Sequence, residues 1–210
     1  MGSPAFEQRR TEQRAQVRRA ILDATEALLV EEGEGRFSIR RLVERCGYTA
    51  PTIYHHFGDK TGLTDALLDE RFERLARQLK RVRRGDDPVG YLRAMGLALV
   101  RFSLRNPTHH RLLFAPRAQQ HAPPRSALEV QETIEQAWTE LWEEGRLLCG
   151  DAAAAGQAMF CLAYGLASRR IARPEHDWSK TGIEDAIDAL LRGLVAPEPA
   201  KKPRRRRTSR

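Results

Sequence analysis

Residues 41–60, RLVERCGYTAPTIYHHFGDK, restrict what this chain can fold into more than any other stretch. Ile39, Leu42, Val43 and Cys46 recur at helical spacing and give a short helix one inward face. Gly47 stands where the chain has to turn through a left-handed residue. Thr49 can then cap a second helix, with Pro51 in its first turn, where a missing N–H costs nothing. Tyr48, just before the cap, can pack on Ile53 as a hydrophobic staple. Gly58 ends that second helix. The spacing predicts two short helices joined by a sharp three-residue turn, a helix-turn-helix.

The remaining punctuation is helical too. Val17, Ile21, Ala24 and Leu28 make a stripe that ends at EEGEG, and Ser38 caps the short helix that follows. A long helix with Leu68, Phe72, Leu75 and Leu79 as its stripe comes after the second short one. RGDDPVG at 84–90 marks a boundary between a small head and a larger body. Beyond it helices are expected near 88–105, 107–115, 126–148, 151–172 and 181–195, with a loop at 115–125 and a connector at 173–178. No alternating strand pattern, internal repeat or glycine-rich phosphate loop is present. The expected fold is all-α: an N-terminal three-helix helix-turn-helix head and a larger helical body. By segment, 1–19 is a basic arm merging into the first helix, 14–60 the head and 61–84 a connecting helix. Residues 85–196 form the body and 197–210 a basic tail, expected to stay disordered for lack of apolar residues.

Composition excludes some classes. With 41% hydrophobic and 30% charged residues, the 210-residue chain suits a soluble globular protein. AAAAGQAMFCLAYGLA at 152–167 is too short and alanine-rich for a membrane span and reads as a buried helix. The N-terminus carries no apolar signal core. Cys46, Cys149 and Cys161 have neither metal-site nor disulfide-framework spacing, which favours a reduced, cytoplasmic setting. The last fourteen residues hold seven Lys/Arg and one Glu, so +6 of the net +8 lies in the tail and only +2 upstream. Bulk charge therefore does not make the folded part a nucleic-acid binder. Its distribution says more: basic residues concentrate at 9–19 and 36–60, while DATEALLVEEGE between them carries only acids.

The second short helix fits the major groove of B-DNA, with its N-terminal residues at base edges. Ala50 and Pro51 are small enough for close approach, and the Thr52 methyl can touch thymine methyl groups. The hydroxyls of Thr49, Thr52 and Tyr54, and the imidazoles of His55 and His56, suit phosphate oxygens. Lys60 adds charge at the start of the next helix, where free N–H groups already favour an anion. Metal binding by His55–His56 is the weaker reading: adjacent histidines diverge on a helix, and only Asp59 lies near ligand spacing. No Ser or Cys stands in a nucleophile motif, so no catalytic residue, cofactor or metal is assigned.

ILDATEALLVEEGEGRFSIRRLVERCGYTAPTIYHHFGDKTGLTDALL, residues 21–68, resembles the DNA-binding head of the TetR family of bacterial transcriptional regulators. The shared features are the ILDA start, the EEG end of the first helix and the glycine before the recognition helix. TIYHHF with a lysine three residues on, and the L..ALL run, complete it. Cys46 and Tyr48 depart from the smaller aliphatics usual in the turn, and Pro51 stands where glycine is commonest. The resemblance implies that Arg40 reaches a base or phosphate and that Pro51 and Thr52 lie near bases. Tyr54, His55, His56 and Lys60 match backbone-contact positions. The candidate DNA-binding set is thus Ser38, Arg40, Thr49, Ala50, Pro51, Thr52, Tyr54, His55, His56 and Lys60. Residues 99–114, LVRFSLRNPTHHRLLF, resemble one C-terminal subfamily, whose Trp…His-Gly signature is here FCLAYG, with Phe160 and Tyr164 in place of the aromatic and the histidine.

The resemblance also implies a homodimer on a palindromic double-stranded operator, formed through the last two helices, and a body that holds a small-molecule effector. Tyr91, Met95, Phe102, His109, Phe114, Trp138, Trp142, Met159, Phe160 and Tyr164 are the pocket candidates, although core packing is the default for any one of them. For His109–His110 a capping or surface role is the default. The alanine-rich 152–167 helix and Ile183, Ile187, Leu190, Leu191 and Leu194 suggest a four-helix dimer interface. The expected function is a DNA-binding repressor released by an apolar effector. An architectural, ligand-independent DNA binder and a small-molecule-binding body with a vestigial head are the alternatives.

Overall fold

A computed structural model describes residues 4–115 and 122–197. Among them the chain is helical throughout, without strands, in the all-α arrangement expected. Helix α1 spans Pro4–Glu32, α2 Ile39–Cys46, α3 Ala50–Phe57 and α4 Lys60–Leu79. The body follows as α5 (Pro88–Arg105), α6 (Pro107–Leu113), α7 (Arg125–Glu143), α8 (Ala152–Ala172) and α9 (Gly182–Leu194). Residues 116–121 of the expected loop and 198–210 of the basic tail lie outside the described residues.

Two apolar clusters divide the molecule. Ile21, Leu22, Leu28, Phe37, Leu42, Ile53, Leu63, Leu67 and Leu68 close the head, and Leu112 of α6 joins them. The body core gathers Tyr91, Leu92, Met95, Trp138, Leu141, Met159, Ile187 and Leu191 around α5. Helix α4 belongs to both, since Ala76 and Leu79 at its far end sit in the body core. Lys80 with Glu129, and Arg84 with Glu140, then tie that end to α7.

The basic arm runs into the first helix without a break: residues 4–19 are the first half of α1, because nothing after Pro4 interrupts a run of strong helix formers. One expected boundary is corrected by the packing: helix α7 stops at Glu143 rather than 148. Gly145 takes a left-handed φ of 64° there. The chain beyond it turns to pair with the C-terminal segment, through Leu148 N to Leu194 O at 2.8 Å and Ala196 N to Arg146 O at 2.8 Å. On α9, Ile187 and Leu191 are buried inside the chain, while Ile183, Leu190 and Leu194 are half-buried against the same core.

Candidate nucleic-acid interface

The short helices owe their ends to specific bonds. Ser38 Oγ accepts from Arg41 N at 3.3 Å and starts α2. Gly47 ends it at φ 74°, its N–H reaching Val43 O at 3.0 Å. Thr49 Oγ1 accepts from Thr52 N at 3.4 Å and lies 3.0 Å from Thr52 Oγ1, so the two threonines bracket the first turn of α3. Asp59, which sequence reading considered only beside a possible metal site, is instead the cap of α4: its carboxylate accepts from Gly62 N at 2.7 Å. A Cβ on Gly62 would stand 2.3 Å from the Phe57 carbonyl oxygen, so only glycine lets α4 begin this close to the end of α3. The angle between these helices is fixed by that contact.

One face of α3 is anchored and the other is free. Ile53 is fully buried in the head core, with Phe57 packed against its margin. Pro51, Tyr54 and His55 are exposed on the opposite face, together with Thr49 at the cap, while Ala50 and Thr52 are half-buried. His56 is half-buried, and burial followed by the nearby Arg14 holds its imidazole below the usual histidine range. Arg18 lies over the Phe57 ring at 5.2 Å and completes the packing of α1 on α3.

The basic residues around this face are not equivalent. Arg40 projects into solvent, held only by Glu44 one turn on at 3.1 Å. Arg41 is paired with Glu32 at 2.6 Å, and Arg45 makes two bonds to Glu31 at 2.6 and 2.7 Å. The acidic end of α1 therefore clamps α2 and consumes two arginines of the basic stretch. Lys60 donates to Phe37 O at 2.9 Å and lies over the Phe37 ring, so its ammonium closes the head in the free chain.

Behind the face lies a constellation that sequence reading missed. Arg71 of α4 is wholly buried and reaches Asp23 at 2.6 Å, Glu26 at 2.9 Å and Glu70 at 2.8 Å. His109 of α6 brings Nε2 to 3.5 Å from Glu26. Burial raises the Glu26 carboxyl above its ordinary value against the opposing pull of Arg71. Burial, then Arg71 and Arg74, push His109 down to about 4, so this imidazole is neutral at pH 7. The only sequence signal was an acid at position 26 on the apolar side of α1.

This overturns the surface reading of His109–His110. His110 is also buried, sharing a hydrogen bond with Ser168 at 2.9 Å and stacking on Tyr164 at 5.4 Å between ring centres. Helix α6 crosses α1, α4 and α5, which leaves its polar residues inside. The pocket candidates separate in the same way. Tyr91, Met95, Phe102, Trp138 and Met159 are buried, whereas Trp142 is 54% and Phe160 49% exposed and Tyr164 also faces outward. Phe114 packs with the outward pair, 5.0 Å from the Tyr164 ring and 5.8 Å from the Phe160 ring. Trp142 in particular sits one turn beyond buried Trp138 and next to buried Leu141, on the solvent side of α7.

Comparison with known proteins agrees with this geometry. Residues 21–67 match the family model described as bacterial regulatory proteins, tetR family, and residues 92–194 match a tetracyclin repressor-like C-terminal domain. An HTH-type transcriptional repressor of Mycobacterium tuberculosis is 41% identical over 59 residues, 28% of this chain and only 32% of that protein. The HTH-type transcriptional regulator TtgR of Pseudomonas putida is 28% identical over 84% of this chain and 94% of its own length. NalD of Pseudomonas aeruginosa, the secondary repressor of the MexAB-OprM multidrug efflux pump, superposes with a TM-score of 0.60 at 27% identity, covering 88% of this chain and 98% of its own.

Proposed function

The chain belongs to the TetR family of bacterial transcriptional regulators and carries its helix-turn-helix domain; from that premise we propose that it is a homodimeric repressor released from a palindromic operator by a small apolar effector. The observation that carries the DNA-binding part is α3 itself, capped at both ends, anchored by Ile53, and presenting Pro51, Tyr54 and His55 to solvent, with no side-chain hydrogen bond or ion pair from Tyr54 or His55 among the described residues. A rigid helix with an unsatisfied polar face is what a major groove receives. Pro51 and Thr52 stand where bases are read, and Tyr54, His55 and Arg40 where phosphates lie. Lys60 joins them by exchanging the Phe37 carbonyl for a phosphate oxygen. That NalD and the Mycobacterium relative are named repressors supports repression over activation. Such a protein works in the cytoplasm, beside the DNA it controls.

The dimer face follows from what the core leaves over. Cys161 and Gly165 of α8, and Ala189 and Gly193 of α9, face outward from the helices that the resemblance assigns to dimerisation. Effector binding would draw on the buried Tyr91, Met95 and Phe102 of α5, Trp138 of α7 and Met159 of α8. There Trp138 Nε1 is buried without a hydrogen-bond partner among the described residues. Release is a population shift: the effector must bind better to the dimer geometry that mis-spaces the two α3 helices. Electrophoretic shifts against genomic fragments, with and without competitor DNA, test the reading. A few fragments held against competitor are expected. Uniform retention would favour an architectural binder, and no retention a vestigial head. A charge introduced at Ala189 should give monomers in sedimentation and abolish operator binding.

A further inference from the structure

Helix α1 extends past the head alongside α3. Residues 6–16 are all exposed, and the first residue to pack on the head core is Val17. Arg10 stands seven residues before it, roughly 10 Å along the axis at 1.5 Å per residue. Between this extension and α3 lies an open groove of about 590 Å³. Arg10, Arg14 and Val17 form one wall at helical spacing, and Thr52, His55 and His56 the other. Neither Arg10 nor Arg14 makes an ion pair among the described residues, in contrast to Arg18, Arg19, Arg41 and Arg45. Arg14 is nevertheless close enough to His56 to depress its protonation.

We infer that this groove holds the DNA backbone, with Arg10 and Arg14 as phosphate contacts that extend the reading head beyond the helix-turn-helix; this rests on the DNA-binding reading above. Its second wall is the side of α3 next to the base-reading positions, so a strand flanking the recognised bases runs into it. Two unpaired guanidiniums at i and i+4 present donors along one line, which suits successive backbone oxygens better than one small anion. A helix extension that buries no apolar stripe is marginal by itself, and a polyanion laid along it gives it a partner. Glu7 lines the outer lip of the groove one turn beyond Arg10 and opposes the contact. That sign is testable.

The test compares the full chain, Arg10→Gln/Arg14→Gln and Glu7→Gln by fluorescence anisotropy. The duplexes are a genomic fragment selected by the wild-type protein and a scrambled one, each titrated at several salt concentrations. Glutamine keeps helix propensity, and circular dichroism verifies the fold. The double variant is expected to lose affinity roughly tenfold or more at 0.1 M salt on both duplexes. Its log–log salt slope should shrink by about one unit per lost phosphate contact. Glu7→Gln should bind both duplexes more tightly. An unchanged affinity and slope for Arg10→Gln/Arg14→Gln, with wild type still selecting its fragment, would overturn the groove alone. A loss confined to the selected fragment would overturn the phosphate assignment in favour of base reading. A wild-type protein that binds neither duplex would overturn the DNA-binding reading itself.

Discussion

The exposed face of α3 and the joint beneath it are both polar, and they treat their polar groups in opposite ways. On α3, Thr49, Tyr54 and His55 lie exposed, and only Ile53 is fully buried. At the joint, Arg71 is wholly buried among carboxylates from α1 and α4, with His109 of α6 against one of them. A buried charge persists only while its partners do, so the joint is sensitive to every one of its members. A solvated polar face has nothing to lose in the free protein and everything to give to a ligand. The joint also connects α6, which packs on the body helix α5, to α1 and hence to the head. A change in the body can reach the head through these contacts as well as along α4, which belongs to both cores.

The largest expected effect tests whether the joint matters as argued. Arg71→Ala leaves Glu26 buried without its cation and should cost about 3–5 kcal/mol in urea unfolding. Adding Glu26→Gln should recover part of that loss. A cost as small as that of a surface change would erase the contrast between the two regions.

The next effect is in pH. An unfolded histidine titrates near 6.5, while His109 is held at about 4 in the fold. As pH falls below 6.5 the unfolded chain takes up this proton first, so stability declines towards pH 4 and levels off beneath it. Glu26 has the opposite sign: its raised folded pKa makes the folded state the better proton acceptor and offsets part of the decline. A net loss of about 1–2 kcal/mol between pH 7 and 5 is expected, flattened in His109→Asn. Denaturation curves with identical midpoints in the wild type at both pH values would remove the histidine from the joint.

Smaller changes separate stability from binding. Asp59→Ala removes the α4 cap and should cost about 1 kcal/mol of stability. Tyr54→Phe, on the free face, should leave stability within roughly 0.5 kcal/mol and weaken DNA binding by about 1 kcal/mol on every sequence. Thr52→Ala should instead alter preference among sites. Equal losses for Tyr54→Phe and Thr52→Ala on all duplexes would contradict the division between backbone and base contacts.

Much of this was legible in advance because it is local. Ser38, Gly47, Thr49 and Pro51 set helix ends within three or four residues of themselves, and they do so in the structure as their chemistry predicts. Lys60 shows where that legibility stops. Its position at the start of α4 is local, yet its bond to Phe37 O spans 23 residues and nothing in the spacing announces it. Trp142 shows the same on the body: an aromatic four residues from Trp138 looks like core, yet in the structure it is exposed while Trp138 is buried.

The sequence by itself determined the helices, the turn between α2 and α3, and which face of α3 carries polar groups. Periodicity and capping are properties of contiguous residues, so they can be read in order along the chain. Only the tertiary structure decided which arginines are spent on internal acids and which remain unpaired among the described residues. It also decided that the histidines of α6 turn inward and that Ile187 and Leu191 of α9 are buried in the chain's own core. Those outcomes depend on how helices distant in sequence rotate against one another. A charge or an apolar stripe looks the same in one dimension whether it meets a partner or the solvent.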